Sequence, residues 1–235
     1  VRNMTRSIPA ALAVTIVMML GLSQARAGSL NLSTGLYSNG SVIGSGDVAD
    51  ANWTQSGNLR GVPAGAAKTV FPYNPDWYGG WVPNSTTSDW IAADPTNAYD
   101  NGIGTYSRTF YLTPSDVSTV ALSGSWTLDD NGTLLLNGNQ LATLGVGNWG
   151  ALYGVSVAAG SSDFQLGLNT LSINLPSSDF VLEGARFDGS LSNYVPASAV
   201  PEPTTVVGLL SLGLMGALVC LWRFGRSWAA SVRVA

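Results

Sequence analysis

Between residues 28 and 199 the chain shows no helical periodicity. Short runs of β-branched, aromatic and aliphatic residues are separated instead by Gly, Ser, Asn and Pro. Alternate residues share one face of a strand, so a period of two marks a strand with one buried face. Segment 105–112 (TYSRTFYL) puts Tyr106, Arg108, Phe110 and Leu112 on one face and Thr105, Ser107, Thr109 and Tyr111 on the other. Segment 119–128 places Val120, Leu122, Trp126 and Leu128 on one parity. Gly124 falls in that same series, which predicts a bulge or a close backbone approach. Asp129-Asp130-Asn131-Gly132 interrupts, 133–136 resumes, and Asn137-Gly138 precedes a return strand at 141–144. Asn-Gly between strand residues predicts a type I′ hairpin, because both central positions need φ > 0. Further strands are expected at 164–166 and 169–175, where Leu171, Ile173 and Leu175 alternate, and at 180–187. Residues 188–196 read as linker and 50–94 as an aromatic, loop-like stretch. The pattern predicts an all-β fold, a sandwich or a barrel.

Two longer apolar runs flank this region. The first, 8–22, follows Arg2 and Arg6 and precedes Ser23-Gln24-Ala25-Arg26-Ala27. A basic start, an apolar run of this length and Ala25 and Ala27 in an A-x-A pattern predict a signal peptide cleaved after Ala27. An uncleaved anchor is the alternative, since no charge interrupts 7–25. The second run, 204–222, is uncharged and nineteen residues long. As a helix it would span about 28 Å, close to the hydrocarbon thickness of a bilayer. Pro201, Glu202 and Pro203 precede it, and the prolines hold that stretch extended and accessible. Arg223, Arg226 and Arg233 follow, where the positive-inside rule places cytoplasmic charge.

This C-terminal order resembles the PEP-CTERM sorting signal of Gram-negative bacteria. The resemblance implies export through the inner membrane and processing at Pro201-Glu202-Pro203 by an exosortase-type enzyme, with delivery to the cell surface or the medium. An ordinary tail anchor behind a Pro-containing linker is the competing reading. The expected organisation is a signal peptide (1–27), a sandwich (28–190), a linker (191–199) and a sorting tail (200–235). Within the tail, 204–222 is a transmembrane helix and 223–235 a basic cytoplasmic end.

Composition narrows the function classes. Thirteen acidic residues and only Arg60, Lys68, Arg108 and Arg186 leave 28–199 with a net charge of −9. No basic stripe is available for phosphates, so a nucleic-acid partner is not expected. The single cysteine, Cys220, lies in the apolar tail segment. The sandwich therefore has no disulfide, thiolate metal site or cysteine nucleophile. Histidine is absent throughout, which removes the usual general base and the commonest zinc ligand.

The second half also resembles a galactose-binding-like jelly-roll domain. The resemblance rests on Tyr106-Ser107-Arg108-Thr109-Phe110, on Trp126-Thr127-Leu128-Asp129-Asp130 and on 134–138. It continues through Gly167-Leu168-Asn169-Thr170-Leu171 and Gly184-Ala185-Arg186-Phe187-Asp188-Gly189. It implies a jelly-roll sandwich in which 28–98 supplies the opening strands and long loops.

Candidate chemistry concentrates in the aromatic stretch. Trp53, Phe71, Tyr73, Trp77, Tyr78, Trp81 and Trp90 fall among prolines and glycines. Trp77, Tyr78, Trp81 and Trp90 are the candidate ligand-binding residues, since rings on glycine-rich loops can stack on sugar faces beside Asp and Asn. The alternative is that these rings plug one end of the sandwich, each burying a large area. Asp129-Asp130-Asn131-Gly132 offers oxygen ligands on a tight turn but lacks EF-hand spacing. It is read as a turn, and no metal or cofactor is expected, although the jelly-roll resemblance leaves a structural calcium open. Asp76, Asp89, Asp94 and Asp100 are the carboxylates from which a glycan hydrolase would need a pair at catalytic spacing; aspartates in such loops serve mostly as turn residues. Glu183 is read as an outward-facing strand charge. The expected function is a non-catalytic sandwich that binds carbohydrate or exopolysaccharide, against a purely structural matrix protein or a carboxylate-dependent hydrolase.

Overall fold

The computed structural model describes residues 27–44, 46–57, 64–69, 80–93, 102–177 and 183–196. Residues 1–26, which include the expected signal peptide up to Ala25, together with Trp77, Tyr78, Pro201, Glu202, Pro203, Arg223 and the apolar run 204–222, lie outside the described residues. Among the described residues eleven strands follow one another: β1 (Gly28–Asn31), β2 (Ala49–Gly57), β3 (Gly65–Thr69), β4 (Ile91–Ala92), β5 (Gly102–Leu112), β6 (Ala121–Asp129), β7 (Gly132–Leu136), β8 (Asn139–Leu144), β9 (Tyr153–Val157), β10 (Gly167–Ser177) and β11 (Gly184–Tyr194). They form an antiparallel ladder in the order β8-β7-β10-β5-β2-β3-β4-β11-β6-β9, with β1 pairing β11. The ladder folds over on itself, and β8 and β9 approach each other at its two ends, as in a near-barrel.

The predicted parity of the central strands is the observed one. Tyr106, Phe110 and Leu112 on β5, Leu122, Trp126 and Leu128 on β6, and Leu171, Ile173 and Leu175 on β10 are all buried. They meet Trp53, Leu134, Leu136, Phe187 and Leu191 in one core. Gly124 makes the expected close approach without a bulge. It stands opposite Gly189 in an unbroken register. A Cβ on Gly189 would lie 2.7 Å from Gly124 Cα, and the Phe187 ring covers the pair. Asn137 (φ 55°) and Gly138 (φ 85°) form the type I′ turn between β7 and β8.

Four expectations are corrected. Residues 188–194 are strand, not linker: β11 runs to Tyr194, held by backbone pairing to β6 on one side and β1 on the other. Within 50–94, read as loop-like, residues 50–57 belong to β2, 65–69 form β3 and 91–92 form β4; β2 is the longest of the three. That strand carries one large apolar residue, the fully buried Trp53, whose indole Nε1 donates to Leu32 O at 2.9 Å. Residues 164–166 are not strand but a bent connection, and the strand begins at Gly167. Glu183 precedes β11 and is buried, 2% exposed, so it is not an outward-facing charge.

The register sorts the connections into two ends. Leu112 pairs Gly167, Ala121 pairs Ser192 and Gly28 pairs Tyr194. Residues 113–120, 137–138, 158–166 and the exit of the chain at Val195 therefore share one end, here the exit end. Asp116 ties that end together: its Oδ2 accepts from the Thr113 amide and hydroxyl, and its Oδ1 from the Val195 amide at 3.3 Å. At the opposite end Gly184 pairs Asp129 and Gly132 pairs Leu144. Residues 80–93, 129–132 and 145–152 gather there.

Candidate functional site

Among the described residues, three tryptophans, Trp81, Trp90 and Trp149, gather at that opposite end. Trp81 and Trp90 stack with ring centroids 4.1 Å apart and planes 26° from parallel. Two further hydrogen bonds hold the pair. The Trp81 indole Nε1 donates to Asp129 Oδ2 at 2.7 Å, and the Trp90 Nε1 to Val82 O at 2.7 Å. Trp81 is 7% exposed and Trp90 fully buried, so neither presents an open ring face. The two rings form one buried, hydrogen-bonded pair at this end of the sandwich.

Trp149, on the turn after β8, packs against this pair while staying partly exposed. Its carbonyl accepts from the Val82 amide at 2.8 Å. Its indole lies against Gly80, where a Cβ would come within 2.8 Å of Nε1. Sequence reasoning passed over Trp149. The usable signal was there, since it sits in Gly145-Val146-Gly147-Asn148-Trp149-Gly150, an aromatic on a glycine-rich loop like those singled out at 71–90.

Beneath the aromatics lies a buried polar layer. Arg186 on β11 is 1% exposed; its Nε donates to Ser88 Oγ at 2.8 Å and its Nη1 to Pro83 O. One strand side chain thus pins both sides of loop 83–88. Burial lowers the Arg186 pKa from its ordinary value, while Asp188 and Asp89 oppose that shift. Asp89 is fully buried. Its Oδ2 accepts from the Gly44 amide at 2.7 Å, and its backbone carbonyl from the Thr34 hydroxyl at 2.6 Å. Asp50 accepts from the amides of Gly35 (2.6 Å), Asn52 (2.7 Å) and Trp53 (3.0 Å). Burial raises the pKa of both carboxyls, more than their backbone hydrogen bonds lower it. These two aspartates act as turn-holding acceptors. Among the described residues no group of three or more His, Cys, Asp or Glu could hold a metal ion. Asp76, Asp94 and Asp100 lie outside them.

Comparison with known proteins decides one matter. Residues 199–223 match the family model described as the PEP-CTERM protein-sorting motif. The chain carries a PEP-CTERM sorting motif. That motif implies processing by an exosortase, and it covers Pro201, Glu202, Pro203 and Arg223. No curated protein matches the chain. Several solved structures are similar to it. One is the CBM36-1 domain of a multidomain xylanase from the hindgut metagenome of Trinervitermes trinervoides (11% identity, 73% of this chain, 99% of that one, TM-score 0.28). Another is a carbohydrate-binding module CBM36 in complex with calcium and xylotriose (12%, 70% and 99%, 0.26). A third is a cyclase from Fischerella sp. TAU (11%, 72% and 99%, 0.35). Similarity at such scores carries no argument about function.

Proposed function

We propose that this is an exported surface or matrix protein, sorted by its PEP-CTERM tail, whose jelly-roll-like sandwich binds carbohydrate without catalysis. In this reading 1–27 is a cleaved signal peptide, the sandwich extends to Tyr194, and 204–222 spans the inner membrane until exosortase acts. The observation that supports it is the placement of the aromatics. Trp149 and the stacked Trp81–Trp90 pair occupy the end opposite the exit of the chain, so a tethered domain would carry them outward. Trp81 and Trp90 would act as a rigid base. Trp149, together with Trp77 and Tyr78, would supply the ring faces that stack on sugars. Removing apolar ring area from water, with hydroxyls bonded to nearby Asn and Asp, suits an uncharged polysaccharide and needs no cofactor.

A structural protein with no ligand site is the second reading, favoured by the burial of Trp81 and Trp90. A glycan array probed with the exported protein separates the two. Retention on a neutral polysaccharide, lost in Trp149→Ala with unchanged unfolding, supports binding; an empty array supports the structural reading.

A further inference from the structure

The exit end carries a feature that carbohydrate binding does not use. Six large hydrophobic side chains are exposed among the described residues, and three of them lie together: Tyr111 (49%), Leu166 (60%) and Leu168 (59%). Leu168 stands directly opposite Tyr111 in the β5–β10 register, which brings their Cβ atoms within about 4.5–5.5 Å. The Tyr111 ring leans over Gly167, its Cε2 3.9 Å from where a Cβ would stand. Leu166, two residues before Leu168, is exposed in the bend that leads into β10. Outward positions along these strands (Thr105, Ser107 and Thr109; Thr170, Ser172 and Asn174) carry no charge. These strand positions are therefore uncharged in a region of net charge −9. Clustered exposed apolar groups mark an interaction surface, whereas scattered ones do not.

The chain itself indicates the occupant. It leaves the sandwich at Val195, held there by Asp116. The apolar segment begins nine residues later at Thr204. Nine extended residues reach about 30 Å at most. A segment inserted in the bilayer would thus keep the exit end within that distance of the lipid surface, at high effective concentration. Tyrosine and leucine suit the boundary of headgroup and acyl chain, where an amphipathic ring keeps its hydroxyl wet. We propose that Tyr111, Leu166 and Leu168 dock the sandwich on the lipid surface while the precursor is still anchored, and release it once the tail is cut. This rests on the reading of 204–222 as a membrane span.

The test uses the full chain in phosphatidylcholine nanodiscs, with Cys220→Ser removing its only cysteine. Spin labels are placed at Leu166→Cys or, as the reference at the opposite end, at Val146→Cys. The ratio of oxygen to nickel-chelate accessibility should be several-fold higher at 166 than at 146. It should fall to the 146 value when Tyr111→Ser and Leu168→Ser are added. Equal ratios in the parent chain overturn docking while leaving the membrane span intact. Dipolar broadening between labels at 166, with low oxygen access, would assign the patch to a second copy and overturn lipid as the partner. A chain that fails to co-elute with the discs overturns the span and the docking together.

Discussion

The two ends of the sandwich are built by different physics. At the exit end much of the structure is local. Asn137-Gly138 turns the chain in two residues, Asp116 caps the Thr113 turn three residues away, and Asn169 accepts from the Gln165 amide and donates back to its carbonyl. At the aromatic end the decisive contacts join distant segments. Trp81 reaches Asp129, Arg186 reaches Ser88 and Pro83, and Thr34 accepts from the Phe187 amide. Local turns can be exchanged piecemeal. A network of buried, mutually dependent groups responds to a single change.

The largest expected effect follows from breaking that network. Arg186→Met should lower unfolding stability by about 3–5 kcal/mol in a denaturant titration, because it leaves the Ser88 and Pro83 acceptors and the Asp89 carboxylate without their buried cation. Trp90→Ala should cost a similar amount, about 3–5 kcal/mol, as a cavity in the aromatic plug. A loss below 1 kcal/mol in both would mean that the aromatic end is loosely packed and the contrast fails. Next, Gly189→Ala should cost about 1–3 kcal/mol by overpacking, since its Cβ would meet Gly124 and Ser123 backbone atoms at 2.7 Å. Gly138→Ala, at the exit end, should cost about 1 kcal/mol through its positive φ alone, with no neighbour in reach.

The smallest effect is electrostatic. Burial raises the folded-state pKa of Asp50 and Asp89 above the unfolded value near 3.9. The folded chain therefore binds more protons than the unfolded chain between those values. Stability contributed by these two groups should rise as pH falls through the folded values and level off below about 3.9. Asp50→Asn with Asp89→Asn should flatten that rise in thermal unfolding followed from pH 7 downward. An unchanged slope would show that other groups set the pH dependence.

The same division explains what the sequence made legible. β5, β6 and β10 were readable because each buries one parity of large apolar residues, and the β7–β8 turn because Asn-Gly has a unique local conformation. β2 was not, since Trp53 is its one large apolar side chain and Asp50 is buried by accepting three amides. The second half of β11 was hidden as well. Its Ser, Asn and Gly residues are held by backbone ladders on both edges rather than by apolar side chains. At the candidate site, the aromatic density at 77–90 was visible. The pairing of Trp81 with Trp90, and the arrival of Trp149 from far along the chain, depend on strand order that no local pattern encodes.

The central claim is that the aromatic end binds carbohydrate and the exit end does not. Its most direct test is a neutral-polysaccharide array probed with the exported protein and two variants, Trp149→Ala and Tyr111→Ser. The account expects retention by the parent and by Tyr111→Ser, with at least tenfold loss in Trp149→Ala at unchanged thermal stability. Equal retention by all three, or no retention by the parent, would contradict it.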